Sequence, residues 1–177
     1  DNYQSPSVGT PRGLFNALID NLAGMGDTFD LIVGRSEGLI PLVETRYTLP
    51  ITSHDTYLSL WYKYQDFEIV EEPFDPLEIE TKVHRFAITL GHPFYHSLNN
   101  KFSMSLTGEY INSKNFLLGD KFSISPGAEG GDTIISALRF SQEWTSSTQR
   151  QAIAARSRFS FGIDVFNATM NPEPVPD

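Results

Sequence analysis

The 177-residue sequence contains no cysteine, which excludes disulfides and thiolate metal sites and leaves the redox compartment open. Basic residues are also scarce. Thirteen Lys and Arg stand against 22 Asp and Glu, a formal net charge of −9, so a nucleic-acid backbone is not an expected partner. No run of about 18 apolar residues occurs, which excludes a membrane-spanning helix. A membrane is not thereby excluded, because a spanning β-strand needs only about 9–11 residues of alternating character and barely registers in averaged hydropathy. The chain opens on Asp1-Asn2-Tyr3 with neither a basic start nor an apolar signal core, so any export signal is expected outside it. Against these absences stand 40% hydrophobic residues and an aromatic share of 12%, enough for one domain inclined toward strands.

Alternation is the dominant pattern. In Lys101–Ile111, "KFSMSLTGEYI", Phe102, Met104, Leu106 and Tyr110 fall on one side and Lys101, Ser103, Ser105, Thr107 and Glu109 on the other. Ile153–Val165 repeats it, with Ile153, Ala155, Phe159, Phe161, Ile163 and Val165 opposing Arg156, Arg158, Ser160 and Asp164. Weaker versions recur: Phe86, Ile88 and Leu90 oppose Arg85 and Thr89, and Leu138, Phe140 and Trp144 oppose Arg139, Ser141 and Glu143. Leu58, Leu60, Tyr62 and Tyr64 oppose Ser59, Lys63 and Gln65, with Tyr57 and Trp61 on that second face. The pattern predicts eight strands, at roughly residues 10–19, 27–36, 40–49, 56–69, 81–91, 101–112, 132–145 and 152–165.

Connections after the first, third, fifth and seventh strands are compact: "DNLAGMG", "PITSHD", "HPFYHSLNN" and "SSTQRQ". Those after the fourth and sixth are long and polar, the tail "NATMNPEPVPD" begins another, and only Glu37-Gly38 is short against that scheme. Short turns at one end and long loops at the other are the habit of outer-membrane barrels. The first segment is ambiguous. Leu14, Leu18 and Leu22, with Phe15 and Ile19, also lie at helical spacing behind a Thr10-Pro11 start, so periodicity leaves helix and strand open there.

Alternating strands fit two architectures. In a soluble sandwich the apolar faces meet in a core; in a membrane barrel they meet lipid and the polar faces line a lumen. Strand length favours lipid, as do aromatics near the predicted strand ends (Tyr47, Tyr57, Phe94, Tyr95, Tyr110, Trp144 and Phe166) and mid-strand charges of both signs. On that reading Lys63, Arg85, Lys101, Glu109, Arg139, Glu143, Arg156 and Arg158 are expected to line a pore, while Gly24, Gly26 and Asp27 form a tight turn. No catalytic residue, metal site or cofactor is predicted. His92 and His96 form a close pair without a helix to align them; "GAEGGD" lacks the lysine of a phosphate loop; no nucleophile elbow is present.

The stretch "DNYQSPSVGTPRGLFNALIDNLAGMGDTF" resembles the start of the barrel in two-partner secretion transporters, the haemolysin secretion and activation family. There an Asn-Tyr-Gly-Ser opening leads through a Gly-x-x-Arg strand to an Asn-Pro-Leu-Gly-Leu-Gly-Asp turn. Asn2-Tyr3, Ser5, Gly9, Arg12, Asn21-Leu22, Gly24 and Gly26-Asp27 match. Gln4 replaces the usual glycine, Leu22-Ala23 replaces Pro-Leu, and Met25 replaces leucine. "TRYTLPI", "LWYKYQDFEIV", "GHPFYHSLNNKFSMSLTGEY" and "SFGIDVFNAT" continue the likeness more loosely along the chain.

The resemblance implies a strand at residues 10–19 and an antiparallel up-and-down transmembrane β-barrel, all-β, with about eight of a probable sixteen strands present. Family members also carry POTRA domains and a Val-Arg-Gly-Tyr loop motif in the second half of the barrel, and neither is found in these 177 residues. Residues 1–177 are therefore expected to be the first half of the barrel. The implied function is an outer-membrane pore of a Gram-negative cell that secretes a large adhesin- or haemolysin-like partner, with that exoprotein and outer-membrane lipid as partners. Two alternatives remain at this point: a complete eight-stranded outer-membrane barrel with a structural or adhesive role, and a soluble β-sandwich binding module.

Overall fold

The computed structural model describes residues 13–123 and 130–169. Nine strands form one antiparallel sheet: β1 (Gly13–Asp20), β2 (Thr28–Ser36), β3 (Leu39–Pro50), β4 (Tyr57–Glu68), β5 (Glu80–His96), β6 (Asn100–Leu117), β7 (Asp120–Lys121), β8 (Asp132–Ser147) and β9 (Ala152–Gly162). Strand order follows chain order, β1-β2-β3-β4-β5-β6-β8-β9, with the two-residue β7 folding back on β6. This is an up-and-down meander. Among the described residues β1 and β9 do not pair, so the sheet is open.

A sandwich is overturned by this arrangement: there is a single sheet, and Leu106, Phe159 and Phe161 are 45%, 52% and 59% exposed rather than sealed in a core. Among the described residues a closed eight-stranded barrel is not formed either. The open choice at the first segment resolves as strand, because Gly13–Asp20 pairs along its length with Arg35–Thr28 of β2 and tertiary pairing overrides helical spacing. Residues 1–12, with the Asn2-Tyr3, Ser5, Gly9 and Arg12 matches, the "ISPGAE" stretch at 124–129 and the tail from 170 lie outside the described residues.

Several predicted boundaries need correction. β5 runs on through His92-Pro-Phe-Tyr-His96, expected as a turn, by means of a register shift between Pro93 and Tyr95 that leaves Phe94 unpaired. His92 and His96 thereby face opposite sides of the sheet. β6 extends to Leu117 into what was expected as loop, so Tyr110 stands in the body of the strand and not near its end. The last strand stops at Gly162 instead of residue 165. The Ile163 N–H still donates to the Ser136 carbonyl, the chain then bows outward through Phe166 and Asn167 at positive φ, and the Thr169 N–H returns to the Ile134 carbonyl.

Two glycines show what the register demands. Gly91 lies directly opposite Tyr57, and a Cβ added there would come within 2.3 Å of the tyrosine ring, which covers the bare backbone of its neighbour. Gly91→Ala is expected to lower unfolding stability by about 1–3 kcal/mol by expelling the ring, and adding Tyr57→Ala should remove most of the steric part of that loss. Denaturant unfolding of the single and double variants measures both.

Candidate functional site: a polar wall opposite an apolar band

Strand parity and register sort the side chains into two faces. One row runs Tyr62, Phe86, Tyr110 on β4, β5 and β6; the next runs Tyr47, Leu60, Ile88, Gly108, Leu138, Phe161; the next runs Leu49, Leu58, Leu90, Leu106, Phe140, Phe159. This face is apolar. Its middle stands largely exposed, Leu60 at 44% and Ile88 at 57%, while Tyr47, Leu58, Tyr62, Tyr110 and Phe140 are half-buried.

Aromatic rings bound the apolar face at two levels. Tyr62 and Phe86 stack with ring centroids 4.7 Å apart, Phe86 and Tyr110 follow at 6.3 Å, and Phe166 of the bowed tail meets Tyr110 edge-on at 6.0 Å. Beyond that row the same face turns polar, with His84, Asn112, Lys82, Lys114 and Asp66, and Lys82 bridges Glu80 at 2.8 Å and Asp66 at 3.6 Å. Toward the short turns, Tyr95, Phe102 and Trp144 form the second level, with His92 and Gln142 beside it. Phe102 and Tyr110 are eight residues apart, ~27 Å along the strand. For the usual strand tilt of such barrels that is ~20 Å of height.

The opposite face is polar and sheltered. Ser59, Ala87 and Ala137 are buried, and a trough of ≈ 810 Å³ lies against it. All eight residues singled out in the sequence fall on this face by register. The trough gathers Lys101, Glu109, Arg139, Glu143, Arg156 and Arg158; Lys63 and Arg85, directly opposite each other, sit farther toward the long loops. Glu109 is paired with Arg139, diagonal to it on β8; Glu143 accepts from Arg156 at 2.9 Å; Lys63 lies 3.3 Å from Glu44.

Sequence reasoning underweighted three members of this wall. Glu44 and Arg46 show only as the polar half of a weak alternation, and Trp61 breaks its strand's pattern. The structure explains Trp61: it faces the polar side and donates its indole N–H to Glu44 at 2.9 Å. With these included, Arg46, Lys63, Arg85, Lys101, Arg139, Arg156 and Arg158 share the face with Asp20, Asp30, Glu44, Glu109 and Glu143. Seven bases meet five acids, in a chain that has 13 bases and 22 acids.

The turn between β1 and β2 is built around Asp27. Gly24 and Gly26 hold φ of +78° and +73°, which favours glycine, and the Asn21 side-chain oxygen accepts from the Gly26 N–H at 2.8 Å. The Asp27 carboxylate, buried at the base, accepts the Ala23 N–H at 3.1 Å and the Met25 N–H at 3.3 Å. Burial pushes its carboxyl up, but the Ala23 N–H, the Tyr47 hydroxyl, its own N–H and that of Met25 outweigh burial and hold it below the ordinary value of 3.8. The stabilisation from a lowered folded-state pKa is fully present above the unfolded value and is lost as pH falls through the folded one. Asp27→Asn is therefore expected to destabilise at pH 5–8 by a constant amount, and the gap from the parent should shrink only below about 3.8. Unfolding midpoints measured across pH check this.

His92 shares a 2.8 Å hydrogen bond with Thr56 and is edge-on to Phe94, and no group of three or more metal-ligating side chains occurs among the described residues.

No protein-family model matches the chain, and no curated protein matches it. Solved structures do. CdiB from Escherichia coli superposes with a TM-score of 0.78 at 16% identity over 95% of this chain, and BamA from Haemophilus ducreyi lacking POTRA domains 1–3 with a TM-score of 0.54 at 18% identity over 87%. The chain spans 31% of the length of each of those two structures. The fold is therefore all-β, the antiparallel up-and-down sheet of a transmembrane β-barrel, present here as an open segment of the wall.

Proposed function

We propose that residues 1–177 are the first half of an outer-membrane β-barrel of a Gram-negative cell, and that the complete barrel is a pore secreting a large adhesin- or haemolysin-like partner by two-partner secretion. One observation carries this reading: the sheet exposes its apolar face in a band bounded by aromatics and shelters a charged face. A water-soluble sheet favours the reverse. The opening motif, with the Asn21–Asp27 turn, and the likeness to CdiB both support the transporter over other barrels. In this reading the band meets lipid, the eight charged residues line the lumen, and the wall is wet enough for an extended polypeptide to pass without sticking.

These 177 residues contain no cysteine, so a full-length parent freed of any cysteine elsewhere gives a silent background. Single cysteines are placed in the full-length protein at Leu118, next to β7, and at Leu98, in the short β5–β6 turn. A membrane-impermeant maleimide applied to intact cells should label the first and reach the second only after the outer membrane is opened. Labelling of both on intact cells sinks the topology. Deleting the gene should remove one large protein from the culture medium, and an unchanged medium sinks the secretion role while leaving the barrel standing.

A further inference from the structure

The charge on the polar wall is neither random nor self-cancelling. Glu44, Glu109 and Glu143 are matched by Lys63, Arg139 and Arg156. Four cations on the same face, Arg46, Arg85, Lys101 and Arg158, have no carboxylate within ion-pair distance among the described residues. Elsewhere among the described residues five bases stand against thirteen acids, of which Asp55 also lines the trough.

Register places the four in succession along the wall. Lys101 stands near the short-turn end; Arg158 is level with Ser105, through Ser141; Arg46 is level with Glu109, through Trp61 and Ala87; Arg85 is opposite Ile111. From Lys101 to the Ile111 row is ten residues, ~34 Å along the tilted strand and ~25 Å of height, comparable with the apolar band of such a barrel. The steps along the strands are about 7–13 Å, but the cations also sit on different strands, Arg46 on β3 and Arg158 on β9 being five strand spacings or ~24 Å apart, so at physiological salt they act as separate stations spread over the wall. Guanidinium groups bind carboxylates through paired N–H donors, yet single exposed contacts are weak enough to release.

We propose that these four cations, none of them in an ion pair although Asp30 stands opposite Arg46 and Asp55 lines the trough, form an anion track along the lumen, which favours carboxylate-rich stretches of the passenger polypeptide. The inference rests on the pore reading above and adds a substrate class to it. The track works by focusing: a low-dielectric wall concentrates the field of the cations on the water inside and raises the local concentration of anions.

The test uses the full-length protein in planar bilayers under a potassium chloride gradient. Lys101→Gln and Arg158→Gln are combined, because neither breaks an ion pair, with Lys82→Gln on the opposite face as control. The double variant should lose chloride preference over potassium by about two-fold or more. Poly-glutamate should block the parent current more strongly than it blocks the variant, and Lys101→Arg with Arg158→Lys should restore the parent behaviour. Unchanged selectivity and unchanged block in the double variant overturn the anion track but leave the pore intact. A parent protein that inserts and does not conduct overturns the pore reading itself.

Discussion

Leu106→Arg is expected to destabilise the folded protein in lipid vesicles by about 2–4 kcal/mol, whereas Thr107→Arg, one residue along, should change stability by less than about 1 kcal/mol. Leu106 lies midway between the Phe102 and Tyr110 levels on β6, with Leu90 and Phe140 opposite it in register, so its side chain occupies the middle of the apolar band. A guanidinium there must be dragged through hydrocarbon to reach water. Thr107 points to the trough, hydrogen-bonded to Thr89 at 2.8 Å, where a further cation is hydrated. Urea unfolding of the full-length protein from vesicles measures both. Equal penalties for the two substitutions would mean that the band does not face lipid.

The second large effect is at Glu109, whose side chain is 12% exposed and is held by Arg139 from β8. Arg85 is diagonal to it on β5 but forms no ion pair with it, and its buried Nε has no partner among the described residues, so the carboxylate answers Arg139 alone. Glu109→Ala is expected to cost about 2 kcal/mol, chiefly by leaving the Arg139 guanidinium without its carboxylate. Arg139→Ala, with Arg139 at 31% exposure, should cost less, and the double variant should recover part of the Glu109→Ala loss. A double-mutant cycle with no coupling would show that the pair is held apart by water in the membrane.

What the sequence made legible follows from parity. A strand immersed in two different media writes its faces into alternate residues, so Phe102, Met104 and Leu106 against Ser103, Ser105 and Thr107 could be sorted at sight. The extension of β6 could not. From Asn112 to Asn115, "NSKN", both faces are polar, and a ribbon wetted on both sides carries no alternation. Register was equally hidden. Glu109 and Arg139 meet diagonally across strands thirty residues apart, which depends on loop lengths and bulges that no local pattern encodes. Gly91, an isolated glycine inside a strand pattern, did carry a usable signal, because such a glycine marks a close approach, here by Tyr57.

The two aromatic levels also bear on where such a wall can settle. A greasy belt of ~20 Å is shorter than the ~30 Å hydrocarbon of an average bilayer, so a thick membrane must pinch inward around it at a cost of fractions of a kcal/mol per Å. Bacterial outer membranes are thinner than average. Hydrophobic mismatch would thus work as an address: insertion should proceed faster into vesicles of short-chain lipids than of long-chain ones, and a thick bilayer would turn the strands away.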